Sequence, residues 1–180
     1  MAAFCQLNYL PDVVRASSSS LVRVAFPLGF ELARLTVTAV VPVAGNLTHL
    51  HLYWVDVERT TPLLELYTAV VNLQSLTFTL TDPSSFPHLD PYTLISSYPR
   101  HLSLLSLVFP RYRQPRCRID HDLRRAFDQP GAGLLLDELQ IVAAPVVGID
   151  LSRIEELCEQ RGVRYTAFAD EGAWKEGGVW

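Results

Sequence analysis

Apolar positions recur in this chain in a fixed frame, Leu-x-x-Leu-x-apolar. The frame occurs at Leu47, Leu50 and Leu52, at Leu73, Leu76 and Phe78, at Leu102, Leu105 and Leu107, and at Leu136, Leu139 and Ile141. The interval between copies is similar throughout and widens at each step, from Leu47 to Leu73, from Leu73 to Leu102 and from Leu102 to Leu136. Self-similarity on that scale marks units that stack on one another, because one short unit cannot bury its own apolar face. Within each motif the second leucine and the last apolar residue share one side of an extended strand, since side chains alternate. The inward set is then Leu35, Val37, Leu50, Leu52, Leu76, Phe78, Leu105, Leu107, Leu139 and Ile141, all apolar. The outward set is Arg34, Thr36 and Thr38, then His49, His51 and Tyr53, then Ser75, Thr77 and Thr79, then Leu104, Ser106 and Val108, then Glu138, Gln140 and Val142. The expected fold class is α/β, a short leucine-rich-repeat-like solenoid with a mainly parallel sheet and helices on its opposite side. One domain spans 1–180, with strands expected at 32–38, 49–55, 75–80, 104–109, 138–143 and 163–168.

The connections between motifs carry helix signals, as parallel strands require. Thr61 as N-cap and Pro62 at the first helical position open a helix to about Val71, with Leu63, Leu66, Tyr67 and Val70 on one face. Asp90-Pro91 opens a shorter one that stops near Pro99. Asp120 or Asp122 caps a third through Leu123, Ala126 and Phe127, ended by Pro130-Gly131. The last helix has the capping box Ser152-x-x-Glu155, the stripe Leu151, Ile154, Leu157 and Cys158, and Gly162 as its stop. The start is less regular. Leu32, Leu35 and Val37 repeat the frame, yet Leu32 stands too close to Leu47 for a strand and a helical crossover to fit between them. Either that unit returns by an extended loop, or 37–43 and 47–55 form an antiparallel hairpin; Pro42 in the first arm favours the loop. The tail 170–180 offers little to pack.

Composition narrows the class. The 180 residues are 49% apolar and 19% charged, a balance that builds a core and excludes general disorder. No apolar run reaches the roughly 20 residues of a membrane-spanning helix. The N-terminus lacks the pattern of a secretory signal, so an intracellular location, cytoplasmic or nuclear, is expected. Three widely spaced cysteines, Cys5, Cys117 and Cys158, suit free thiols in a reducing compartment. A net charge of −4 gives no general attraction to nucleic acid or anionic membrane. The arginines at 111, 113, 116, 118, 124 and 125 lack aromatic residues placed to stack on bases, so neither partner is expected.

Chemistry is sparse. His49 and His51 share a strand face at a spacing that can ligate a metal, but no third ligand stands on the neighbouring strands. Asp120-His121-Asp122 could orient a general base, yet no nucleophile accompanies it, and helix-start acids explain both carboxylates. Gly131-x-Gly133 has neither the third glycine nor the preceding strand of a dinucleotide site. No catalytic residue, metal site or cofactor is expected. The candidate protein-binding residues are Arg34, His49, His51, Tyr53, Thr77, Thr79, Ser106, Glu138 and Gln140, the outward face of the sheet.

The stretches Asn46-Leu-Thr-His-Leu-His-Leu, Thr61-Pro-Leu-Leu-Glu-Leu and Asn72-Leu-Gln-Ser-Leu-Thr-Phe, with the ending Ile154-Glu-Glu-Leu-Cys-Glu-Gln-Arg-Gly-Val, resemble the leucine-rich-repeat region of F-box proteins from basidiomycete fungi. The resemblance covers about two thirds of the chain. It implies a repeat module that holds a protein target, while a separate F-box docks onto the adaptor of an SCF ubiquitin ligase. The first thirty residues contain no recognisable F-box, so adaptor binding by this chain is not expected. The ninth motif position, often Asn or Cys in such repeats, is Val55, Thr81, Pro110 and Ala144, so the turns must be satisfied in another way. Besides a protein-interaction module, two readings remain open: a small metal protein or enzyme using the His49 and His51 face, and a truncated relative without independent activity.

Overall fold

The computed structural model describes residues 22–27, 38–53, 66, 68–79, 102–109, 119–128, 135–143, 150–169 and 172–173. Six strands form one sheet in the order of the chain: β1 Arg23–Pro27, β2 His49–Tyr53, β3 Ser75–Thr79, β4 Leu102–Phe109, β5 Leu136–Ala143 and β6 Arg164–Phe168. Every neighbouring pair is parallel. Arg23, His49, Ser75, Leu104, Glu138 and Arg164 stand side by side across the sheet. The interval between them is the same over the first two steps, lengthens over the next two, and returns to its first value at β6. The backbone repeats its hydrogen bonds with the same step. The Val22 carbonyl accepts from the amides of Thr48 and His49, and the Thr48 carbonyl accepts from those of Gln74 and Ser75. At the turn before β3, the Asn72 side-chain amide donates to the Gly45 carbonyl at 2.7 Å. An asparagine ahead of the motif thus satisfies backbone of the preceding unit.

The inward rows meet expectation in kind: Leu50, Leu52, Leu76, Phe78, Leu105, Leu107, Leu139 and Ile141 are all buried in one apolar cluster. Two helices join that cluster, α1 Ile119–Asp128 through Leu123 and Phe127, and α2 Leu151–Arg161 through Ile154, Leu157 and Cys158. Val43, Ala44 and Leu47, in and after a 3-10 helix at Val41–Asn46, complete it before β2. Leu66, Thr68 and Ala69 are helical, with the Val70 amide donating to the Leu66 carbonyl at 3.0 Å, and Leu66 and Val70 are buried. The helical segments therefore pack on the same side of the sheet, the side of the even-numbered positions of β2 and β3. No helix among the described residues is long and apolar enough to cross a membrane.

Several expectations need correction. Thr38, the end of the strand expected at 32–38, is helical, and the strand beside β2 is β1, which precedes that stretch in the chain; residues 31–37 lie outside the described part. The alternative hairpin of 37–43 with 47–55 does not form, because residues 38–46 are helical and β2 is paired in parallel on both sides. A full parallel pair with β1 and another with β3 use both edges of β2, which a hairpin at this point would forbid. In α1 the helix is already under way at Ile119, so Asp120 and Asp122 sit within it rather than at its cap. The cap of α2 is Asp150, whose carboxylate accepts from the Arg153 amide at 3.2 Å, so Ser152 lies inside the first turn. Its far end is as expected. Gly162 takes φ 68°, the Val163 amide donates to the Cys158 carbonyl and the Gly162 amide to that of Glu159, the paired bonds of a Schellman motif. The helix expected to reach about Val71 ends at Ala69, and Val71 stands in a turn. The helix expected from Asp90, the start of that at Thr61 and Pro62, and the ninth motif positions lie outside the described residues.

This packing makes two predictions. Leu76→Ala, which empties a site in the middle of the shared row, lowers unfolding free energy by about 2–5 kcal/mol, whereas Gly162→Ala, which strains a left-handed position, costs about 1 kcal/mol; urea unfolding measures both. Burial pushes the Cys158 thiol from 9.0 up to about 11. The unfolded thiol therefore loses its proton first, and stability that is full below pH 9.0 falls as pH rises towards 11. Burial, then Cys158 and Glu155, raise Tyr165 from 10.0 to about 12, so its own loss begins at pH 10.0 and overlaps the upper part of that window. Unfolding measured across pH 9.0 to 11 loses the lower part of this slope in Cys158→Ala.

Candidate functional site

The sheet's second side is built from the other alternation of each strand. In register it has three rows: Arg23, His49, Ser75, Leu104, Glu138 and Arg164; then Ala25, His51, Thr77, Ser106, Gln140 and Thr166; then Pro27, Tyr53, Thr79, Val108, Val142 and Phe168. Among the described residues the first row is the most open, although Ser75 within it is buried. Arg23 and Arg164 are exposed and His49, Leu104 and Glu138 partly so, while His51, Thr77, Ser106 and Gln140 in the second row are buried. In the third row Thr79, Val108 and Val142 are buried, the two valines packing with Phe168.

Several of the buried polar groups bond to one another. His51 Nε2 lies 2.7 Å from Thr79 Oγ1. From β4 to β6 a chain of side chains runs outward: Ser106 Oγ donates to Gln140 Oε1 at 3.2 Å, Gln140 Nε2 donates to Glu138 Oε1 at 2.7 Å, and Arg164 meets Glu138 Oε2 at 3.2 Å. The Arg164 side chain is 76% exposed and that of Glu138 21%, so this pair ends the chain at the open row. At the other end of the same row, Thr48 Oγ1 lies 2.8 Å from His49 Nδ1 and 3.2 Å from the Val22 carbonyl. Partial burial, then the Arg23 charge, hold His49 below the ordinary histidine pKa.

Alternation sets the direction of a side chain and leaves its exposure to the tertiary structure. Of the candidate binding residues, His51, Thr77, Thr79, Ser106 and Gln140 are on the expected side but buried, which corrects the expectation of an open surface there. His49 and Glu138 remain accessible on the first row. Tyr53 closes β2 in the third row, and Arg34 lies outside the described residues. The structure adds Arg23 and Arg164, which the motif frame passed over. The signal for Arg23 was present: Leu21-x-x-Val24-x-Phe26 keeps the frame one repeat ahead of Leu47, with valine in place of the second leucine.

Among the described residues, no three His, Cys, Asp or Glu side chains gather where they could hold a metal ion. His49 and His51 each place a ring nitrogen against a threonine hydroxyl. On the helical side, Asp120, His121, Arg124, Arg153, Glu156 and Leu157 line an open groove of about 400 Å³ between α1 and α2. Arg153 there reaches Asp120 at 3.8 Å and Asp150 at 3.3 Å, so Asp120, a carboxylate that could have oriented a general base, belongs to an ion pair. Arg161 also pairs with Asp128 across the helix ends. Compared with protein-family models, with curated proteins and with solved structures, the chain finds no significant match.

Because the fold favours neutral His49, the unfolded state takes up that proton first as pH falls through about 6.5. Stability is therefore lost on acidification below that value. Urea unfolding at about pH 7.5 and about pH 5.5 shows a smaller drop in His49→Gln than in the unaltered chain.

Proposed function

We propose that the chain is a non-enzymatic protein-interaction module, a short leucine-rich-repeat-like solenoid of the kind that holds targets in fungal F-box proteins. The observation that carries this reading is the sheet itself: six parallel strands in chain order and in one register, at an interval that starts constant, lengthens over two steps and returns to its first value. Repetition of one unit builds a long, rigid surface from few kinds of contact, and such surfaces serve recognition. The binding surface is the accessible part of the first row, Arg23, His49, Leu104, Glu138 and Arg164, with Ser75 buried between His49 and Leu104. The buried residues of the second and third rows, His51, Thr77, Thr79, Ser106, Val108, Gln140 and Val142, lie beside it along the strands. The His49 and His51 pair lends no support to a metal protein, since one ring is buried against Thr79.

Photocrosslinking residues placed singly at Leu104 and Arg164, and on α2 at Glu156 and Glu159, test this in the cells that make the protein. Protein adducts form from the sheet positions and not from α2. Equal adducts from α2, or none from the sheet, contradict the reading.

A further inference from the structure

The first row is not electrically even. Its β6 end carries Arg164 against Glu138 at 3.2 Å. Its β1 end carries Arg23, exposed and directly opposite His49 in the parallel register. Among the described residues of β1 to β4 and their connections there is no aspartate or glutamate, so none of them pairs with Arg23. Arg23 is also the only arginine or lysine among them. Among the described residues that corner is therefore one guanidinium beside one imidazole, a donor set that suits a single negative group.

The hydrogen bonds decide how the imidazole would take part. Thr48 Oγ1 has one proton and two neighbours, the Val22 carbonyl, which can only accept, and His49 Nδ1. With that proton on the carbonyl, Nδ1 carries the ring hydrogen and donates to Thr48, and Nε2 is the nitrogen left to gain a proton. Around His49, β1 contributes Arg23, β3 contributes uncharged Ser75, and β2 itself contributes His51, which is bonded to Thr79. Among the described residues Arg23 is thus the one charge opposing protonation, and an anion over Arg23 reverses that opposition. Two strands beyond His49 the row reaches partly exposed Leu104. Strands about 4.8 Å apart place Leu104 roughly 12 Å from the midpoint between Arg23 and His49, which an extended chain rising about 3.3 Å per residue covers in about four residues, an even spacing that keeps both side chains on one face.

We infer that the partner docks a segment bearing a carboxylate over Arg23 and His49, with an apolar side chain about four residues away, on the same face of the extended segment, seated on Leu104. The inference rests on the protein-interaction reading of this surface. A carboxylate matches the donor set: the planar guanidinium engages two oxygens, and one imidazole N–H completes it. A phosphate dianion would call for more cations than this corner supplies. Engagement draws a proton onto His49, so binding strengthens as pH falls.

The probe is the blocked peptide Gly-Glu-Gly-Gly-Gly-Leu-Gly, titrated against the full chain while the His49 ring Cε1 proton is followed by NMR. The shift saturates, the His49 titration midpoint rises in the complex, and affinity is higher at about pH 6 than at about pH 8. Arg23→Ala, an exposed position whose urea midpoint should stay unchanged, weakens binding about tenfold, and so does Gln for Glu in the peptide. Gly for Leu in the peptide weakens it as well. No saturable shift, equal binding by Arg23→Ala or by the Gln peptide, or tighter binding of a phosphoserine peptide overturns the inference. Crosslinking separates its failure from that of the broader reading. Partner adducts at Leu104 that persist undiminished in Arg23→Ala refute the carboxylate docking alone, whereas absence of any sheet adduct refutes the interaction module itself.

Discussion

A single unit of this chain, one short strand such as His49–Tyr53 with its return, has an apolar side that it cannot cover by itself. Everything else in the structure follows from sharing that side with neighbours. Leu50, Leu76, Leu105 and Leu139 stand in one row across four strands and are at most 1% exposed. At about 25 cal/mol per Å² of apolar surface, each such side chain contributes about 2 kcal/mol, but only while the strands on both flanks are in place. The row thereby fixes the register, since a slip by one residue would put His51 or Thr77 into the leucine layer. It also accounts for the elastic connections. The unequal steps from His49 to Ser75, from Ser75 to Leu104 and from Leu104 to Glu138 all deliver the strand to the same row, because burial acts on the strand and leaves the length of its return free.

The second side of the sheet is ordered by a different requirement. Its middle is buried and polar, so its hydroxyl, amide and imidazole groups must find partners across strands, as His51 does in Thr79 and Ser106 in Gln140. Those bonds hold neighbouring strands from the side opposite the leucines. They run out at the first row, where Glu138 and Arg164 close one end and the other is left with Arg23 beside His49. A surface that is rigid and unevenly charged suits discrimination between partners, since a misplaced charge costs more on a scaffold that cannot relax.

Much of the scaffold was legible because its signal is local and repeated. Leu47-x-x-Leu50-x-Leu52 and its three copies mark four strands within a few residues, since alternation and burial act on the same positions. The strand at Arg23–Pro27 escaped because Val24 replaces the expected leucine, while Leu32, Leu35 and Val37 imitate the frame without leaving room for a crossover. Asp150 and Ser152 are both good cap formers; the bond from the Arg153 amide chooses the aspartate, and only geometry could say so. The candidate site was legible in direction and not in depth. Whether Thr77 or Ser106 faces solvent depends on what lies over the sheet, and no pattern along β3 or β4 encodes that. Arg23 became visible only with the register that sets it opposite His49.

The central claim is the in-register parallel stack that starts at β1, and backbone NMR contacts test it most directly. The account predicts inter-strand amide and Hα contacts linking Val24 to Leu50, Leu50 to Leu76, Leu76 to Leu105, Leu105 to Leu139 and Leu139 to Tyr165, all in the parallel pattern. Absence of the Val24 to Leu50 link, with antiparallel contacts between 37–43 and 47–55 in its place, would contradict it.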